Sequence, residues 1–282
     1  MRRPWFALAA LCAVVLVASA CDNDERPPQS ATATETSAGE TTEETMSVAV
    51  YYLRDGRIAP VGRSVTATPA VARAALASLL EGPTTEERAA GLASAIPAGT
   101  TLEDVSLEDG VATVDLSETF DDGGGGASIQ ARVAQVVATL TRFPTIERVA
   151  FEIDGRPVET LGGKWVSVDP PRGLGRGDIE AQTPQILVES PLPGETVKSP
   201  IRLRGTANVF EATVSLEVRD AADEVLLETF TTATSGSGTR GTFEVELDVP
   251  DVEGPVTIVA FESSAEDGRP LHVVRVPVTL AR

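Results

Sequence analysis

Helical periodicity disappears from this chain beyond Gln185. From there on, short alternating runs recur near Ile186–Val188, Ile201–Gly205, Ala212–Val218, Val225–Phe230, Thr242–Val249, Val256–Phe261 and Leu271–Leu280, each bounded by turn residues. That rhythm predicts an all-β sandwich of immunoglobulin type over residues 184–282. No cysteine pair staples it, so its core must come from Val, Leu, Ile and Phe, which a domain of ~100 residues can manage.

The preceding stretch, residues 47–160, mixes the two periods. Ser47–Leu53 alternates like a strand and stops at Asp55-Gly56, a hairpin signal, so Arg57–Val65 is expected to return beside it. Pro69 suits the first turn of a following helix, on which Val71, Ala75 and Leu79, with Ala72, Leu76 and Leu80, draw an apolar stripe. That helix must end at Gly82-Pro83, where glycine can turn left-handed and proline forbids continuation. Thr84 and Glu87 have the spacing of a capping box, which predicts a second, short helix. A second hairpin is expected at Asp109-Gly110, followed by a flexible loop at 121–126. A helix then carries Ile129, Val133, Val136, Val137 and Leu140, with Ser128 as N-cap, and Arg148–Ile153 forms a last strand. The order β-β-α-β-β-α-β predicts an α+β domain, a mixed sheet with helices on one face. Residues 161–183 are dense in glycine and proline and read as a linker, although Trp165–Val168 could still lie on the first domain.

The chain has 282 residues and a formal net charge of -19, which disfavours nucleic acid and anionic headgroups as partners. Its positive charge is 21 Arg against Lys164 and Lys198 alone, a bias that marks no site. Arg2 and Arg3, the apolar run Trp5–Val17 and the small residues Ala18-Ser19-Ala20 have the layout of a signal peptide over 1–20. Cys12 would leave with it, and Cys21 would then open the mature chain in the position that bacterial lipoproteins acylate. A plain secretory signal or an uncleaved anchor fits the same layout. Residues 21–46 are rich in Ser, Thr, Glu, Ala and Pro, too poor in aliphatic side chains to fold, and are expected to be a disordered tether.

Two sets of motifs carry a family resemblance. Tyr51-Tyr52, Leu80-Glu81-Gly82-Pro83-Thr84, Glu87-Arg88, Gly91-Leu92, Ser94-Ala95-Ile96-Pro97, Val111–Leu116, Phe120, Thr139-Leu140 and Asp154-Gly155 resemble the GerMN domain of sporulation and spore-germination lipoproteins. Ser190–Gly194, Val197, Ser199-Pro200, Gly205-Thr206-Ala207, Phe210-Glu211-Ala212, Arg240-Gly241-Thr242-Phe243 and Phe261–Gly268 are similar to the immunoglobulin-like domain of bacterial spore germination. The resemblance implies a noncatalytic lipoprotein on the extracytoplasmic face of the cell membrane, with a GerMN part related in fold to ring-building modules of secretion-like complexes.

The residues themselves favour the same class. The single histidine, His272, sits in an alternating run, no Gly-x-Ser-x-Gly elbow is present, and zinc lacks a ligand set. Asp104, Asp109, Asp115 and Glu118 crowd the second hairpin, and a solvated face explains them better than a glycosidase pair. Calcium at Asp121-Asp122 or Glu266–Gly268 lacks EF-hand spacing, and turn chemistry accounts for both. Neither a catalytic residue nor a cofactor is therefore expected. Phe210, Glu211 and Arg240 are the interaction candidates, the alternative being a core phenylalanine with a structural Arg240–Glu211 pair. The expected function is an assembly or binding component of the envelope. It would be held by lipid on Cys21 and engage a protein partner or further copies of itself; a cell-wall glycan binder comes second and a wall hydrolase third.

Overall fold

A computed structural model describes residues 44–249 and 252–282. The expected signal peptide, Cys21 and nearly all of the tether lie outside the described residues. The first half runs β1 (Thr45–Arg54), β2 (Arg57–Thr66), α1 (Val71–Leu80), α2 (Thr85–Ala89), β3 (Leu92–Ala93), β4 (Leu102–Glu108), β5 (Val111–Leu116), α3 (Gly126–Leu140), β6 (Arg148–Ile153), β7 (Arg156–Pro157), β8 (Thr160–Leu161) and β9 (Val166–Ser167).

Both hairpins turn where the sequence marks them. Asp55 and Gly56, and again Asp109 and Gly110, take positive φ, which twists the two-residue turn to match its strands. Gly82 closes α1 at φ +79°, its N–H donating to Leu79 O, and Thr84 and Glu87 make the capping box that starts α2. Pro69 stands just outside α1, which opens at Val71 behind Ala70.

The α+β class holds, but the strands form two main sheets and not one. β2-β1-β3 make the first and β4-β5-β6-β7 the second, with β5 and β6 parallel because α3 carries the chain back between them. Helix α3 lies against β1, β2, α1 and β6 and is buried on nearly every side, far beyond the apolar stripe read from its sequence. Its buried polar residues have backbone to satisfy. β3 pairs only with Leu53 and Arg54, which leaves the outward N–H and C=O of Tyr51 without a strand. Thr139 Oγ1 accepts that N–H at 3.0 Å, and Gln135 Nε2 donates to that carbonyl at 3.2 Å. Arg132 reaches the carbonyls of Phe120, Asp122 and Gly123, so the loop expected to be flexible is tied to the helix. The same contact corrects the start of α3. The N-cap is Gly125, and Ser128 lies inside the first turn, where its Oγ accepts from Arg132 Nη2 at 3.2 Å.

Residues 161–183 are folded onto this half and are no linker. Leu161, Val168, Leu174 and Ile179 enter its core, Leu174 exchanges both backbone hydrogen bonds with Val149, and 176–182 form a 3-10 segment against α3. The glycines serve tight approach. At Gly173, with φ +67°, a Cβ would stand 2.4 Å from the carbonyl oxygen of Val149.

The second half contains β10 (Ile186–Ser190), β11 (Thr196–Lys198), β12 (Ile201–Ala207), β13 (Thr213–Arg219), β14 (Val225–Thr232), β15 (Gly241–Leu247), β16 (Gly254–Ser263) and β17 (Pro270–Ala281). All seven alternating runs are strands, and β11 is an added short one that pairs in parallel with β17. A three-stranded sheet, β10-β12-β15, faces a five-stranded one, β11-β17-β16-β13-β14. Ile186, Leu203, Val214, Leu216, Val218, Phe243 and Ile258 fill the space between them.

Candidate functional site

Two places gather functional side chains: the seam between the halves and the outer face of the five-stranded sheet.

The seam begins at Tyr51 and Tyr52, which are fully buried in β1. Tyr51 Oη donates to Glu189 Oε1 of β10 at 2.8 Å. Arg176, from the segment expected to be a linker, lays its guanidinium 5.0 Å from the centre of the Tyr51 ring and bridges to Glu189 at 3.1 Å. Burial pushes the Tyr51 phenol well above its ordinary value, with Arg176 pulling partly back, so it remains a donor. Tyr52 turns the other way. Its hydroxyl donates to Ser78 O, Arg63 stacks 5.2 Å from its ring centre, and Arg63 binds Glu87 in a fork at 2.5 and 2.6 Å. The Arg63 hydrogen bond holds the Glu87 carboxyl below the usual range against the opposing effect of burial. Because Glu87 also accepts from Thr84 N–H, the Gly82–Glu87 corner is fastened to the first hairpin.

Apolar contact continues the seam. Leu187 and Leu192 of the second half are buried in the core of the first, and Leu192 Cδ1 would lie 3.7 Å from a Cβ at Gly62. Arg240 closes the far end. It holds Glu180 through Nε and Nη2 at 2.8 and 3.1 Å, and also donates to Pro184 O and Thr206 Oγ1. Asn208 Nδ2 adds a second donor to Glu180 at 3.0 Å, and Arg57 of the first hairpin reaches the carbonyls of Ala181 and Thr183.

The sequence candidates therefore separate. Arg240 and Glu211 make no pair: Arg240 clasps Glu180, whereas Glu211 sits at φ +53° with its backbone N–H held by Ser237 Oγ. Phe210 is 55% exposed, so it is not a core residue; its N–H donates to Glu262 Oε1. Phe243, from the other motif, is the buried one. His272 lies in β17 at φ +53°, with Nε2 3.7 Å from Glu262 Oε2. Asp267 pairs with Arg269 within its turn, whereas Asp121 Oδ1 accepts Gly162 N–H from a distant segment, a tertiary contact and not the expected turn chemistry. Among the described residues no cluster of three His, Cys, Asp or Glu is placed to hold a metal.

Sequence reasoning missed the outer face of the five-stranded sheet. Across it, Phe230 of β14 stands opposite Ser215 of β13 and, through it, Phe261 of β16; the next row sets Glu228 against Glu217, Val259 and Arg275 of β17. Together with Val273 they line a hollow of about 740 Å3. Phe230 is 66% exposed and Val273 45%. Glu217 binds Arg219 at 2.6 Å, while Glu228 has no hydrogen-bond or ion-pair partner among the described residues. The available signal was an outward phenylalanine in an alternating strand, at a position where a solvated sheet would place a polar residue.

Comparison with known families fits this architecture. Residues 49–159 match the family described as sporulation and spore germination, and residues 185–269 match the immunoglobulin-like domain of bacterial spore germination. Each half of the chain is thus similar to one of these two families. The tandem GerMN domains of the sporulation protein GerM from Bacillus subtilis are 17% identical to it, covering 73% of this chain and 62% of that one with a TM-score of 0.41. The first GerMN domain of the same protein is 25% identical over 47% of this chain and 99% of that one, with a TM-score of 0.37. The chain thus spans less than two thirds of the tandem GerM structure. No curated protein matches it.

Proposed function

We propose that the chain is a noncatalytic assembly component of the cell envelope, which uses the outer face of its immunoglobulin-like domain to hold a protein partner. The observation that carries this reading is the pair of exposed side chains Phe230 and Val273, with half-buried Phe261 between the strands, beside the facing acids Glu217 and Glu228. Like charges placed directly opposite weaken a sheet, and exposed aromatic rings forgo the gain of burial. An incoming surface with apolar and basic side chains would relieve both. The N-terminal pattern supports a location on the outer side of the cell membrane, with Cys21 as the lipidated residue. Two acyl signals would hold such a protein stably, where one would not.

A photo-crosslinking residue at position 230, carried by the full-length chain in intact cells, tests this reading. It should join the chain to one discrete protein, and Phe230→Glu should weaken that complex by about 10-fold or more with melting unchanged, as expected for a binding hot spot. Retention on purified peptidoglycan without added protein, lost in Phe230→Glu, would instead support the glycan-binding alternative, in which the phenyl rings stack on sugars.

A further inference from the structure

The polar end of the domain seam forms an open pocket of about 190 Å3, lined by Arg142, Arg176 and Arg240 with Thr141, Thr183, Thr206 and Glu189. In a chain of net charge -19, three guanidinium groups facing one small space are unusual. Two carboxylates answer them, Glu189 on Arg176 and Glu180 on Arg240, which leaves one positive charge over. That charge belongs to Arg142. Its Nε is sealed from water with no hydrogen-bond partner, and among the described residues the guanidinium makes a single long hydrogen bond of 3.5 Å, from Nη2 to Glu189 O. Arg142 is half-buried, so its charge is left to be stabilised through its Nη groups and not through Nε.

The donors can be followed atom by atom. Thr141 and Thr183 spend their hydroxyl protons on the carbonyls of Val137 and Ile179. Among the described residues Thr206 Oγ1 only accepts, from Arg240 Nη1 at 3.2 Å, so its proton is unclaimed there. Arg176 uses Nε and Nη2 on Thr141, Tyr51, Ala138 and Glu189, and its Nη1 has no hydrogen-bond partner among the described residues. Unused donors from Arg142, Arg176 and Thr206 thus border one pocket with a surplus positive charge.

We propose that this pocket binds a small oxyanion, a phosphate or carboxylate group, between the GerMN and immunoglobulin-like domains. Arg142 supplies the charge and Thr206 a neutral hydrogen bond, while Arg176 and Arg240 are already committed to the seam. Such a ligand touches both domains at once, and by linkage it strengthens their union.

Isothermal titration of the full-length chain with inorganic phosphate, and separately with acetate, at constant ionic strength tests the site. Saturable binding at one site per chain is expected, weakened about 10-fold or more by Arg142→Gln and several-fold by Thr206→Val, which leaves every arginine in place. Phosphate binding without acetate binding would mark a tetrahedral group as the ligand, and comparable binding of both a carboxylate-tolerant site. Absence of saturable binding of either anion to the unaltered chain would overturn the proposal, as would binding unchanged in both variants.

Discussion

Alanine in place of Gly173 should destabilise the protein by roughly 2–5 kcal/mol. The backbone there has φ +67°, which costs an L side chain about 1–2 kcal/mol. A Cβ would also stand 2.4 Å from Val149 O and 2.8 Å from Ala150 N, and forcing backbone apart adds about 1–3 kcal/mol. Those atoms belong to β6, which cannot shift without disturbing its pairing with β5. The sign is informative. Had residues 161–183 been a flexible linker, Gly→Ala would be neutral or would stabilise by about 0.4–1 kcal/mol through the unfolded state. Urea unfolding separates the cases, with a lower midpoint at constant slope expected.

Arg240→Ala should cost about 2–3 kcal/mol, and Glu211→Ala less than about 0.5 kcal/mol. The Arg240 side chain is only 16% exposed and serves Glu180, Thr206 Oγ1 and the Pro184 carbonyl together, so its loss strands several acceptors. Partial exposure of Glu180 keeps the figure below that for a fully buried pair. Glu211 has an exposed side chain and no charged partner among the described residues, and its removal loses little. The same pair sets a pH dependence. Burial raises the Glu180 pKa, but the hydrogen bonds from Arg240 and Asn208 outweigh it and hold the carboxyl below its ordinary value. A depressed folded pKa gives stability that is complete above the unfolded value of about 4.3 and is lost as pH falls through the folded one. Arg240→Ala should therefore flatten the acid limb of the stability profile, and Glu211→Ala should leave it as it is.

Local signals were the legible part of this fold. Asp-Gly turns, the Gly82 stop, the capping box and seven alternating runs all act within a few residues, and each formed its element. Long-range partnership was not legible. Arg240 and Glu211 invited pairing because they carry opposite charges in two motifs of the same domain, yet the acid that Arg240 holds comes from residue 180, in a stretch whose glycines looked like spacers. Arg132, Gln135 and Thr139 would ordinarily mark the polar face of α3, and only the unpaired backbone of Tyr51 and the carbonyls of the 120–123 loop explain their burial. Arg176 and Arg142 carry no motif, and the seam gives them their meaning.

The seam and the oxyanion site in it require the two domains to hold together as one body. Leu187 and Leu192 sit in the core of the neighbouring domain, while Tyr51, Arg176, Glu189, Glu180 and Arg240 join the halves by charged hydrogen bonds. Scanning calorimetry of the full-length chain tests this most directly. A single transition whose calorimetric and van't Hoff enthalpies agree is the predicted result; two resolved transitions, with Arg240→Ala moving neither toward the other nor apart, would contradict it.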